Sequence, residues 1–332
     1  MRTLRIGSVV AEAGTVVDEN LRICQTAGGT ETKIPVTLIN GEQDGPTVNL
    51  HACIHGDEFE GVGAIWRIAR NIKPKDLSGA IIATPIVHTS AYAAGTRESP
   101  IDGKDLARAF PGDPAGSATD RIAYYFFNEV VLKSDYVLGL HSGGVRYRFH
   151  PLVEYYSGLA RNVDDKSKAM AEAFAVGPCS IVQRIPTPIR FNTCGYQSCI
   201  HGIPSIENEM WGEGRCLPEH VGQNVDSIVK VLEHLGMIKK GTATPHQAAT
   251  GTRIPDHCEG LWVSATNGGF FVPKVQMRQT VEKDQEVGVI TDDFGGTIEV
   301  VRAPTNGFVA AMRTFPMIQP GNWAVLVEKS VD

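Results

Sequence analysis

A chain of 332 residues with 42% apolar side chains and a formal net charge of -6 can bury a large core. Its lysines and arginines are scattered, which leaves no electrostatic footprint for nucleic acid or anionic lipid. No apolar signal core opens the sequence and no run approaches the roughly 18 apolar residues that span a bilayer, so a cytoplasmic protein without membrane partners is expected.

Between residues 33 and 235, short β-branched apolar runs alternate with longer stretches of helical period, the pattern of a largely parallel sheet flanked by helices. The spacing predicts strands over 34–39, 47–54, 80–86, 136–140 and 205–210. Helices are expected over 60–71, 120–132, 164–175 and 218–235, the second announced by the capping residues Ser117 and Asp120. After Gly236 the texture changes: 239–245 reads as a linker, followed by short strands separated by Gly, Asn, Asp and Pro. Two domains follow, 1–240 as an α/β unit and 241–332 as an all-β unit. Segments 268–273 and 303–309 resemble the halves of the barrel-sandwich fold of lipoyl and biotinyl domains. The stretch 291–297, where such domains carry a modified lysine, has none, so a structural or lid role is expected there.

Seven cysteines occur without paired Cys-x-x-Cys spacing, which excludes a disulfide framework and a cysteine-rich zinc knuckle. Most read as small buried hydrophobes, Cys53 among them.

The apolar run ending in His55 enters a turn that places Glu58 three residues later, at the sheet edge where open α/β folds bind ligands. Alone, such a pair is a weak signal. The run 136–141 also ends in a histidine, His141, followed by small residues, and two histidines with a glutamate make an open catalytic zinc site. Gly56 allows a tight turn between the first two ligands. His51 shares a strand face with His55 but lies four residues away, about 13 Å along a strand; it is read as packed within the sheet. Asp57 is open to two readings, an acceptor behind a metal ligand or a turn residue.

Four segments then resemble the succinylglutamate desuccinylase and aspartoacylase family of zinc amidohydrolases with the carboxypeptidase fold. They are 34–36 with 45–48 and 55–58; 95–97 through 102–112; 140–144; and 202–209. The resemblance implies His55, Glu58 and His141 as ligands of one zinc and Glu209 as the catalytic glutamate. It implies Arg97 as the group facing the developing oxyanion and Arg108 as the arginine that takes an anionic part of the substrate. Two departures stand out. Ala107 replaces the family's asparagine before Arg108, which leaves the substrate's identity open, and Gly139 replaces an aspartate two residues before the third ligand.

The function implied is removal of an acyl group from a small N-acylated amino acid or related amine by metal-activated water. A metallocarboxypeptidase and a non-catalytic zinc-binding module are the alternatives. A homo-oligomer stays open. Glu207, on the same strand face as Glu209, is expected to raise the pKa of Glu209 if it is ionised nearby; a solvated or paired carboxylate is the other reading.

Overall fold

The computed structural model describes residues 3–177, 179–241 and 258–330. In the longer part the strands are β1 (Leu4–Ile6), β2 (Val9–Ala11), β3 (Thr15–Gln25), β4 (Glu31–Asn40), β5 (Gln43–Ala52), β6 (Ser78–Thr84), β7 (Tyr136–His141), β8 (Tyr147–Tyr156), β9 (Ser180–Arg184) and β10 (Ser205–Gly212). The helices are α1 (Glu60–Asn71), α2 (Thr89–Ala94), α3 (Ala118–Glu129), α4 (Arg161–Phe174), α5 (Cys194–Ile200) and α6 (Pro218–His234). The carboxyl-terminal part is all strand: β11 (Cys258–Ser264), β12 (Gly269–Pro273), β13 (Thr280–Val281), β14 (Glu286–Thr291), β15 (Thr297–Arg302), β16 (Gly307–Arg313), β17 (Met317–Ile318) and β18 (Trp323–Ser330).

Every strand and helix expected from the sequence is present, with shifted ends. Strand β8 went unread because Pro151, a residue that interrupts ladders, sits in its middle. Asp120 accepts the Ser117 N–H at 2.9 Å, as the capping signal implied, and α3 starts at Ala118.

A mixed twelve-stranded sheet dominates, in the order β13-β16-β18-β11-β9-β8-β10-β7-β5-β6-β4-β3. Its centre, β10-β7-β5-β6, is parallel, and antiparallel pairs flank it. Helices cover both faces. Val62, Ile65 and Ile68 of α1, Met170 and Phe174 of α4, and Ile228 and Leu232 of α6 share one core. Ile122, Phe126 and Phe127 of α3 join the β1–β2 hairpin in the other.

Four of the carboxyl-terminal strands are continuous with this sheet. Strand β16 pairs with both β18 and β8, so β8, β9, β11, β18 and β16 close into a ring. The other four form a separate sheet, β15-β14-β12-β17, whose β14–β15 hairpin holds segment 291–297 at its tip. Most of the linker read at 239–245 lies outside the described residues. No helix among the described residues is long and apolar enough to cross a membrane.

Candidate functional site

Strands β5, β7 and β10 run parallel, so their carboxyl ends open on one side of the sheet. The chain leaves β5 through Cys53, whose φ of 56° falls in the left-handed region that few non-glycine residues occupy. Beyond it the turn carries His55 and Glu58 across the strand ends. Gly56 is needed there for close approach: a Cβ would stand 2.0 Å from the backbone carbon of Ala91 in α2. His141 is the last residue of β7, and Glu209 lies beside it in register on β10.

These placements bring one donor atom each from His55, Glu58 and His141 within 4.8 Å of one another. Nδ1 of His55 lies 2.6 Å from Glu58 Oε1, and Nδ1 of His141 lies 2.9 Å from Glu58 Oε2. Burial works against the Glu58 charge, but the two imidazoles outweigh it and hold its pKa down to about 2. For both histidines burial favours the neutral ring; the Glu58 carboxylate prevails and raises their pKa values. Two imidazole nitrogens converging on one buried carboxylate form a donor set that fits a divalent ion such as zinc with a coordination position left open.

Sequence reasoning missed Asp105. Its Oδ1 lies 3.3 Å from Nε2 of His55, and its Oδ2 accepts from Arg97 Nη2 at 3.2 Å. One carboxylate thus faces the ring of His55 and is hydrogen-bonded to Arg97. Burial opposes its ionisation, yet His55 and Arg97 together hold its pKa below the usual carboxylate range. The Ala107 N–H, 2.9 Å away, locks it further. A signal existed, since Asp105 stands three residues before Arg108 in a segment already singled out.

His51 stays outside the cluster. It is buried, with Nδ1 2.8 Å from Asn49 Oδ1 and its ring edge-on to Phe126. Burial, with His141 second, pushes its pKa down to about 3, so the ring is neutral. It faces Gly139 across β5 and β7, where a Cβ would come within 2.9 Å of its Nε2. The imidazole therefore fills the room that an aspartate at 139 would need. Asp57 accepts the Val145 N–H at 3.0 Å and anchors the loop after His141, which favours its structural reading. Cys53 is a buried free thiol whose pKa is pushed up by burial and then by Glu58, as unsuited to a nucleophile as expected.

Glu209 is partly buried in the cleft wall, and its buried Oε2 has no hydrogen-bond partner among the described residues. Burial, followed by the Glu58 charge, raises its pKa well above the carboxylate norm, against the pull of His141 and Arg97. Glu207 Oε1 accepts the Gly195 N–H at 3.1 Å, and Glu58 and then Glu154 are the carboxylates that act most on Glu209.

A cavity of about 90 Å³ opens from this cluster, and Arg97, Arg108, Glu207 and Glu209 all line it. Its far side comes from distant elements. Glu154 of β8 is ion-paired with Arg184 of β9 and, at 3.4 Å, with Arg190. Trp262 of β11 and Trp323 of β18 stack at 4.7 Å, with Tyr147 edge-on to Trp262 at 5.7 Å. The β unit thus supplies a wall of the cleft. None of these six residues was singled out from the sequence, because nothing local links them to the strand ends they face.

The profile of the succinylglutamate desuccinylase/aspartoacylase catalytic domain matches residues 44–194, a span that holds the three metal-site residues and both arginines but ends before Glu209. The N-alpha-acetyl-L-2,4-diaminobutyric acid deacetylase of Halomonas elongata is 30% identical over 303 residues, covering 90% of this chain and 86% of the relative. The crystal structure of a succinylglutamate desuccinylase/aspartoacylase from Rhodobacter sphaeroides superposes with a TM-score of 0.84 at 27% identity, over 96% of both chains. The ectoine utilization protein EutE (DoeB) of Ruegeria pomeroyi, in its product-bound structure, shares the fold, with a TM-score of 0.83 at 23% identity over 95% of each chain.

Proposed function

The chain belongs to the succinylglutamate desuccinylase/aspartoacylase family, and from that premise we propose that it is a zinc-dependent deacylase of small N-acylated amino acids, acting in the cytoplasm. The observation that carries this reading is the convergence of His55 Nδ1 and His141 Nδ1 on the Glu58 carboxylate, beside the partly buried Glu209. His55, Glu58 and His141 would hold the zinc, which when bound supplies a water of lowered pKa and polarises a carbonyl.

The protein's own groups do the rest. Glu209 takes a proton from water and returns it to the leaving nitrogen; its raised pKa suits a group that acts first as base and then as acid. Arg97, fixed by Asp105, points its charge towards the acyl oxygen, where negative charge grows only on the way to the tetrahedral species; one such donor is commonly worth about 3 to 4 kcal/mol. Arg108 takes the carboxylate of the amino-acid part, for which a guanidinium fork is well shaped. In this reading residues 1–240 form the catalytic unit and 241–332 a β unit whose tryptophans narrow the cleft around a small substrate.

The Halomonas relative acts, by its name, on an acetylated diamino acid, which makes N-acetyl-2,4-diaminobutyrate the first substrate to try. The test is metal analysis of purified protein followed by amine release from a panel of N-acyl amino acids, before and after chelation. Bound zinc with chelator-sensitive release is the expected result. Full activity in zinc-free protein would overturn the metal assignment.

A further inference from the structure

The charged groups lining the cleft fall into matched and unmatched sets. Asp105 neutralises Arg97, and Glu154 is shared by Arg184 and Arg190. Glu209 belongs to the metal end, within the fields of Glu58, His141 and Arg97. Two groups remain. Arg108 donates from Nη1 to its own neighbour's carbonyl, Ala107 O, at 3.0 Å; its charge acts on Asp105, but it forms no ion pair among the described residues. Glu207 accepts only the Gly195 N–H, through Oε1, and has no lysine or arginine paired with it among the described residues. Arg190 feels the Glu207 charge, but Glu154 dominates it.

A cation and an anion that line one small cleft, neither engaged in an ion pair among the described residues, are complementary to a molecule that carries both charges. An amino acid acylated on its only nitrogen offers a carboxylate and no cation. A diamino acid acylated on one nitrogen offers both. Resting on the deacylase reading above, we infer that Glu207 is the specificity residue for the free ammonium group of a mono-acylated diamino acid, while Arg108 holds its carboxylate.

The local structure prepares Glu207 for this. It projects from β10 on the same face as Glu209 and two residues before it, about 6 to 7 Å away along the strand, a span suited to the separation of an amide nitrogen from a second amine on a short side chain. Gly195, at the start of α5, lies so close that a Cβ there would stand 2.8 Å from Glu207 Cδ. The Oε1 contact fixes the carboxylate and leaves Oε2 for the ligand. A partly buried carboxylate with no ion-pair partner favours an ammonium there over an apolar or anionic group.

The test compares 2,4-diaminobutyrate with 2-aminobutyrate, which has the same backbone without the second amine. Binding of both to zinc-loaded protein is measured by calorimetry, for the native chain, Glu207→Gln and Gly195→Ala, with circular dichroism as the check on folding. The native chain should prefer 2,4-diaminobutyrate by roughly 10- to 100-fold, the worth of a hydrogen bond to a charged group. Glu207→Gln should abolish most of that preference, and Gly195→Ala should weaken it by displacing the carboxylate. Equal binding of the two compounds by the native chain, or a preference that survives in Glu207→Gln, would overturn the assignment. Hydrolysis of the two N-acetyl derivatives is followed in parallel. Turnover without an ammonium preference defeats this inference alone, and a Glu207-dependent preference without turnover of any amide defeats the deacylase reading alone.

Discussion

The two ends of the cleft are built differently. At the metal end, three parallel strands stop together, and His55, Glu58, His141 and Glu209 are delivered by strand ends or the turn that follows one. At the other end, Glu154, Arg184, Trp262 and Trp323 come from the closed ring of β8, β9, β11 and β18, two of them from strands beyond residue 257. The first end is fixed by backbone geometry and short spacings. The second is fixed by long-range pairing, and its composition can change without disturbing the strand ends. On the proposed reading, reaction chemistry belongs to the first end, while the second shapes the cleft around the substrate held by Arg108 and Glu207, and variants should divide accordingly.

The largest effects are expected at the metal end. His55→Ala, Glu58→Ala or His141→Ala should each lose the zinc and with it all turnover, since each removes one of only three protein ligands. Metal analysis after dialysis reads this directly; stoichiometric zinc in His141→Ala would remove that residue from the set.

Glu209→Gln comes next. It should keep its zinc and lose roughly 100-fold or more in kcat, the usual contribution of a general acid–base group. The pH profile sharpens the point. A base works only when deprotonated, and the pKa of Glu209 is raised, so kcat/KM should fall towards acid with a limb lying above the ordinary carboxylate value of about 4.3. That limb should be missing from the residual activity of Glu209→Gln. If Glu207→Gln instead removes the limb, the two carboxylates have exchanged roles.

Asp105→Asn should weaken zinc binding or activity by about 10- to 100-fold, because the ring of His55 and the guanidinium of Arg97 lose a shared anchor. Competition with a chromogenic chelator measures the affinity. Unchanged affinity together with unchanged kcat would show that Asp105 only caps its own loop.

At the far end the expected effects are smaller and of another kind. Trp262→Ala opens the wall formed by the Trp262–Trp323 stack and should raise KM several-fold with kcat little changed. N-acetylaspartate and succinylglutamate should be poor substrates, since Ala107 leaves Arg108 as a less completely hydrogen-bonded carboxylate site. Ala107→Asn should improve both in steady-state assays. Efficient turnover of either by the native chain would show that position 107 does not govern selectivity.

The same division explains what could be read from the sequence. Strands 47–54 and 136–140 were legible because their apolar runs end in metal-ligand residue types, and local spacing was enough to nominate His55, Glu58 and His141. Glu209 came through the resemblance of segment 202–209, which the family profile itself does not reach. Asp105 was visible as a residue but not as a partner, because its contacts with His55 and Arg97 depend on how a loop folds back over the strand ends. Gly139 looked like a lost carboxylate; only the position of His51 shows that its space is occupied. The closed ring was hidden altogether. Pro151 disguises β8, and the pairing of β16 with β8 joins residues separated by about half the chain. Periodicity identifies a strand and its buried face but not its distant neighbour, so the tryptophan wall could not be foreseen.

The central claim is that a zinc held by His55, Glu58 and His141 works with Glu209 to cleave an amide. It is tested most directly by single-turnover hydrolysis of N-acetyl-2,4-diaminobutyrate in zinc-loaded native protein and zinc-loaded Glu209→Gln, with metal content measured on the same samples. The account predicts equal zinc, about one per chain, with rapid release of acetate by the native protein and release slower by roughly 100-fold or more in the variant. Equal zinc with equal rates would contradict it.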